Sequence, residues 1–227
     1  MRVTGSDGLL LTYLNSTDSE YDVADILKAK TEASKTGEVT EEEKQTYNSI
    51  KTSAAKVQSD ASALLVTGDE SLFTKAETSG STVDILTSLG SFVDDYNAMV
   101  KELAGTKDKS NDDYLEELKS IFNNAKDSLE TVGLSMNSDG TISIDQGKLQ
   151  SATVTELKSA CQDSGFLDKV TEKCDYIGAN AAVDVYLANA SNYTSSGAYA
   201  NNGSSTGMSS MMAELYNTIG SCFDSQS

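Results

Sequence analysis

One stretch of this chain places oxygen-bearing side chains at the spacing of a calcium loop. With Asp139-Gly140 at the fifth and sixth positions of an EF-hand, Ser135 falls at the first, Asn137 at the third, Thr141 at the seventh, Ser143 at the ninth and Gln146 at the twelfth. The first position requires an acid and the twelfth a bidentate carboxylate. Ser and Gln there leave too little charge to offset the dehydration of calcium, so the expectation is a structural turn with no metal.

Proton-transfer chemistry has few candidates. The chain contains no His, which removes Ser-His-Asp and Cys-His catalysis and imidazole-ligated zinc together. Neither Gly-x-x-x-x-Gly-Lys-Ser/Thr nor Gly-x-Gly-x-x-Gly occurs, so phosphate-cradling loops have no support. Paired carboxylates remain, as in glycoside hydrolysis, where one acid and one base or nucleophile flank a sugar. Asp94-Asp95 and Asp112-Asp113 are the candidates by proximity. Consecutive acids on a helix point in different directions, and both pairs belong on solvated faces or at helix starts. Cys161, Cys174 and Cys222 are odd in number and widely spaced, which fits neither a disulfide framework nor a zinc knuckle. Cys174, at helical spacing between Val170 and Ile177, has the place of a small core residue. The expectation is a protein that is not an enzyme and has no catalytic residue, metal or cofactor.

The elements that hold these residues follow from periodicity. Around the Ser138-Asp139-Gly140 turn, Leu134 and Met136 share one face of a strand and Ile142 and Ile144 share one face of the next, while Gly140 can take the positive φ of the turn. That predicts a β-hairpin over about residues 134-144, the one departure from helical spacing. Upstream, Thr40-Glu41-Glu42-Glu43 has the form of a capping box, followed by Tyr47, Ile50, Ala54, Val57, Ala61 and Leu64 along a narrow seam suited to close antiparallel packing. Gly68-Asp69 ends that helix. Ser81-Thr82-Val83-Asp84 caps the next, with Ile85, Leu89, Phe92, Tyr96, Val100 and Leu103 on one stripe. Gly105 and the polar run Lys107 to Asn111 close it. A third helix carries Leu115, Leu118, Phe122, Ala125, Leu129 and Val132 into the hairpin.

After the hairpin, Asp145 caps a short segment containing Leu149, and Val154 and Leu157 continue to Ala160. A longer helix then places Phe166, Val170, Cys174, Ile177, Ala181 and Val185 on one stripe and ends near Tyr186-Leu187. Asn189 to Ser210 is dominated by small and polar residues and has the composition of a loop. A final stripe of Met208, Met211, Met212, Leu215, Ile219 and Phe223 regains helical spacing on a background of weak propensity. Packing against this chain or another copy must therefore hold it, and these six residues are the expected interaction surface. Near the start, Val23, Ile26 and Leu27 suggest a shorter helix. The absence of Pro suits long uninterrupted helices.

Composition limits the partners. Seventeen Lys and Arg face 35 Asp and Glu for a formal charge of -18, and the acids are scattered along the chain. A nucleic-acid backbone requires clustered cations, and Arg2 is the one Arg, so no nucleic-acid partner is expected. Mean hydropathy is -0.35 and no apolar run approaches bilayer length, so no membrane partner is expected either. The polar N-terminus lacks the apolar segment of a secretory signal.

Two blocks carry a resemblance. Phe92-Val93-Asp94-Asp95-Tyr96-Asn97-Ala98-Met99-Val100-Lys101-Glu102-Leu103 resembles the "FVDxYNALVKEL" helix of the flagellar hook-associated protein 2 family, the filament-capping proteins. Val132-Gly133-Leu134-Ser135-Met136-Asn137-Ser138-Asp139-Gly140-Thr141-Ile142-Ser143-Ile144-Asp145, followed by Lys148-Leu149, resembles that family's "GIxFDSDGTLSLDxAKL" element. Order and spacing agree. Gly165 to Val170 and Tyr193 to Gly197 are similar to weaker segments that follow, so the likeness covers roughly Ser81 to Gly197, about half of the chain. The family's cap proteins are longer, with β-rich head domains and a charged C-terminal helix, and this chain departs from them in both respects.

The resemblance implies a structural protein of the bacterial flagellum, exported to the cell exterior without a cleaved signal, as a truncated or accessory relative of the filament cap. Its implied partners are flagellin or other flagellar axial proteins, and further copies of itself in a homo-oligomer. The composition alone leaves open a cytoplasmic, acidic helical binding module or export chaperone. The expected fold is mainly α: an elongated helical bundle with one small β-hairpin. Three segments are anticipated: 1-80, an N-terminal helical segment; 81-190, a cap-like helical domain with the hairpin; and 191-227, a Ser/Gly/Asn-rich loop and C-terminal amphipathic helix.

Overall fold

A computed structural model describes residues 40–106 and 108–190. The described residues are mainly helical with one two-stranded antiparallel sheet, as the periodicity predicts. Three long helices form the frame: α1 (Glu41–Leu65), α3 (Val83–Ala104) and α8 (Phe166–Ala190). Between the first two lies the short α2 (Leu72–Ser79). Helices α4 (Lys109–Asn124) and α5 (Lys126–Thr131) lead to strands β1 (Leu134–Met136) and β2 (Ile142–Ile144), and α6 (Gln146–Ser151) and α7 (Val154–Lys158) lead back to α8.

Helix α1 begins where its capping box demands. Thr40 Oγ1 accepts from the Glu43 backbone N–H at 3.2 Å while Glu43 Oε2 accepts from the Thr40 N–H at 2.8 Å, so two donors that a helix start leaves orphaned are satisfied. Its seam of Ile50, Ala54, Val57, Ala61 and Leu64 is buried between α3 and α8, with Tyr47 half-buried at the edge. Both neighbours run antiparallel to it. Ser53 pairs with Glu102 of α3 and Gln58 with Asp175 of α8, while the backbone at Gly178 approaches Ala54, so rising numbers on α1 meet falling numbers on either partner. The small Ala54 and Ala61 let the helices draw close. The far end of α1 is stopped from outside: Gln162 Nε2 donates to the carbonyls of Leu64 and Val66, which the helix itself leaves unpaired.

The predicted stripe of α3 is buried in full, and Val93 and Met99 widen it, because α1, α4 and α8 all contact this helix or its neighbours. Phe166, at the first turn of α8, meets Phe92 of α3 at 5.9 Å and Phe122 of α4 at 5.7 Å, both edge to face. On the flank, Lys173 of α8 binds Glu117 of α4 at 2.6 Å and lies 4.9 Å from the Tyr176 ring and 5.8 Å from the Tyr114 ring.

Four features differ from the sequence expectation. Helix α2 was not anticipated; Ser71 caps it, Gly80 at φ 73 ends it, and Phe73 and Ala76 are its buried anchors. The single helix expected over Leu115 to Val132 is broken at Ala125, although its stripe survives the break from Leu118 onward, with Leu115 half-buried. The polar run expected to close α3 instead opens α4, with Asp108 as its cap accepting from the Ser110 N–H at 2.9 Å. Helix α8 continues to Ala190 past the predicted Tyr186-Leu187, and Val185 is half-buried. Before α8, a π-turn at Ser159–Asp163 turns Gln162 toward the end of α1.

Candidate functional site

The hairpin is the distinctive local structure, and it is built from both sides of its turn. Register pairs Leu134 with Ile144, Ser135 with Ser143 and Met136 with Ile142, so the four apolar residues share the face turned to the core. Leu134 and Ile142 are buried, Met136 and Ile144 half-buried. Hydrogen bonds from Asn137 N to Thr141 O and from Asp145 N to Gly133 O bracket the ladder, which leaves the backbone N–H and C=O of Ile142 pointing outward along the free edge of β2. Asn97 of α3 takes both. Its Nδ2 donates to Ile142 O at 2.8 Å and its Oδ1 accepts from Ile142 N at 2.6 Å. The side-chain amide thus substitutes for the missing third strand.

Within the turn the oxygens serve one another. Asp139 Oδ1 accepts from the Thr141 hydroxyl at 2.6 Å and from the Thr141 N–H at 3.0 Å; Asn137 Nδ2 donates to Thr141 Oγ1, and Ser143 Oγ donates to Asn137 Oδ1. The Thr141 hydroxyl, then its N–H, hold the Asp139 carboxyl below the usual carboxylate range. Positions one and nine of the calcium register, Ser135 and Ser143, are cross-strand partners here. Among the described residues no three His, Cys, Asp or Glu side chains converge as metal ligands. Gly140, at φ 88, packs against Lys119 of α4 and Val100 of α3. Gly133, also at φ 88, lies so close to the Asp145 carbonyl that a Cβ would stand 2.8 Å from it.

Beside the hairpin runs a shallow cleft of about 230 Å³ between α3, β2 and α6, whose lining includes Val83, Leu86, Gly90, Ile144, Gln146 and Leu149. Val83 at its mouth is 64% exposed.

The carboxylate pairs are separated by their helices. Asp94 is exposed, whereas Asp95 turns toward Asp60 of α1; Asp112 and Asp113 are both exposed on the first turns of α4. Burial, then the Asp95 charge, raise the pKa of Asp60. Cys161 and Cys174 are free and buried, and burial pushes the Cys161 thiol up to about 12 and the Cys174 thiol higher still. Cys174 Sγ donates to Met99 Sδ at 3.8 Å in the core between α8 and α3. Among the described residues no helix is long and apolar enough to cross a membrane.

The six expected interaction residues, Met208, Met211, Met212, Leu215, Ile219 and Phe223, lie outside the described residues, as do Cys222, Val23, Ile26, Leu27 and the Tyr193 to Gly197 segment. Asn97 and Ile142 fall in two separate blocks of the sequence, and their contact is a property of the fold. The signal for it was weak: an amide at position 97 beside the buried stripe, where a solvated polar residue would look the same. Asp60 carried no signal, since its partner lies on another helix. No family model, curated protein or solved structure matches this chain.

Proposed function

We propose that this chain is a structural and assembly protein of the bacterial flagellum, related to the filament cap, that acts by packing its helical faces against further copies of itself and against flagellin or other axial proteins outside the cell. One relationship supports the reading. The two blocks that resemble the cap family, Phe92 to Leu103 and Val132 to Asp145, are parts of one packed unit, joined by the two hydrogen bonds between Asn97 and Ile142. A likeness divided between distant segments gains weight when those segments contact each other, because their spacing then answers to one structural constraint. The buried chemistry agrees with a packing role: the two described cysteines are shut in the core, and the turn oxygens are satisfied internally.

Association through the Met208 to Phe223 stripe is the mechanism in this proposal. Light scattering of the full chain across a concentration series, with and without flagellin, tests it. Mass rising with concentration, or a complex with flagellin, is the expected result, and a concentration-independent monomer that ignores flagellin overturns it. Fractionation locates the protein: signal in sheared filaments is expected, and signal confined to the cytosol favours an acidic binding module or export chaperone.

A further inference from the structure

Polar contacts across the α1–α3 seam recur one heptad apart. Ser53 Oγ donates to Glu102 Oε2 at 2.6 Å. Seven residues along α1 and seven back along α3, as antiparallel helices require, Asp60 meets Asp95. At this second contact Asp60 Oδ2 is buried without a hydrogen-bond partner. A carboxylate oxygen withdrawn from water beside a second carboxylate is costly unless a proton lies between them.

The charged groups acting on Asp60 are Asp95 of α3 and Lys56 one turn back on α1. Helix α8 approaches another flank of α1, where Gln58 donates to Asp175; positions 58 and 60 lie about 200° apart around a helix. Asp94, next to Asp95, is exposed and faces away. Nothing in this set supplies a full counter-charge to two ionised carboxylates.

We propose that Asp60 and Asp95 share one proton across the seam, which makes the α1–α3 contact a pH-sensitive latch, tight while the proton is held and loosened when it leaves. Proton loss sets two like charges facing each other with Lys56 alone to offset them, while α1 stays held to α8 through its other flank. An acid whose folded pKa lies above its unfolded value near 3.8 favours the folded state fully below that value. The benefit then falls away as pH rises through the raised value. The latch does not depend on the flagellar reading.

The full chain, with Asp60→Asn and Asp95→Asn, is melted at about pH 4 and about pH 8, and the side-chain carboxyl carbons of the wild type are followed by NMR across the same range. The expected result is that Asp60→Asn melts above the wild type at the higher pH, with the difference closing at the lower. The Asp60 carboxyl titrates above the ordinary range in the wild type. Ordinary titration of the Asp60 carboxyl in the wild type overturns the proposal, whether or not the variants fold. So does a melting difference that is the same at both pH values.

Discussion

The side-chain amide of Asn97 holds the backbone of Ile142 at both of its polar groups, 2.8 Å from Nδ2 to the carbonyl oxygen and 2.6 Å from the N–H nitrogen to Oδ1. A two-stranded ribbon is marginal alone. This contact covers its open edge and ties it to the buried stripe of α3. Replacing Asn97 with Ala leaves a donor and an acceptor of a buried residue unpaired. A loss of about 2–3 kcal/mol in urea-induced unfolding is expected, together with faster hydrogen exchange at Ile142 than in the helical core.

Gly133 and Gly165 both adopt positive φ, at 88° and 69°, and differ in what surrounds them. At Gly133 a Cβ would meet the Asp145 carbonyl at 2.8 Å and the Lys148 Cβ at 2.9 Å, whereas nothing lies within 4 Å at Gly165. Gly165→Ala is expected to cost about 1–2 kcal/mol, the left-handed penalty alone, and Gly133→Ala about 3 kcal/mol or more because backbone must shift as well. Equal losses in paired denaturation curves would contradict this account of the hairpin's base.

Burial, followed by the carboxylates of Asp184, Asp108 and Glu43, pushes the Tyr47 hydroxyl up to about 12. A phenol with a folded pKa above its unfolded value near 10 favours the folded state below that value, and the benefit is lost as pH rises through about 12. Alkaline melting should therefore steepen over this window in the wild type and flatten in Tyr47→Phe, as followed by circular dichroism.

Cys161 and Cys174 are buried and free, with thiols held neutral by burial. Alkylation mapped by mass spectrometry should leave both unmodified in the native protein and label them on addition of denaturant. Rapid native labelling of Cys174 would mean that α8 separates from α3 far more readily than its packing implies.

The helical stripes were legible in the sequence because each is a local pattern. Ile85, Leu89, Phe92, Tyr96, Val100 and Leu103 recur at helical spacing whatever they pack against, and all six are buried. Thr40-Glu41-Glu42-Glu43 marks a helix start because both partners of the capping box lie within one turn. The hairpin was legible for the same reason, its alternation and turn glycine falling within a dozen residues. The break at Ala125 was not, since the apolar stripe runs straight across it, and α2 was too short to build a periodic signal.

By itself the sequence determined the fold class, the hairpin and its register of apolar faces, and the lack of imidazole chemistry, all properties of neighbouring residues or of composition. Tertiary structure alone decided that Asn97 meets Ile142, 45 residues away, that Asp95 turns to Asp60 while Asp94 turns to solvent, and that Gln162 ends α1 across 98 residues. The physical reason is common to the three. A polar side chain on a helix carries the same local signature whether it faces water or a partner, and the partner is chosen by how the helices pack.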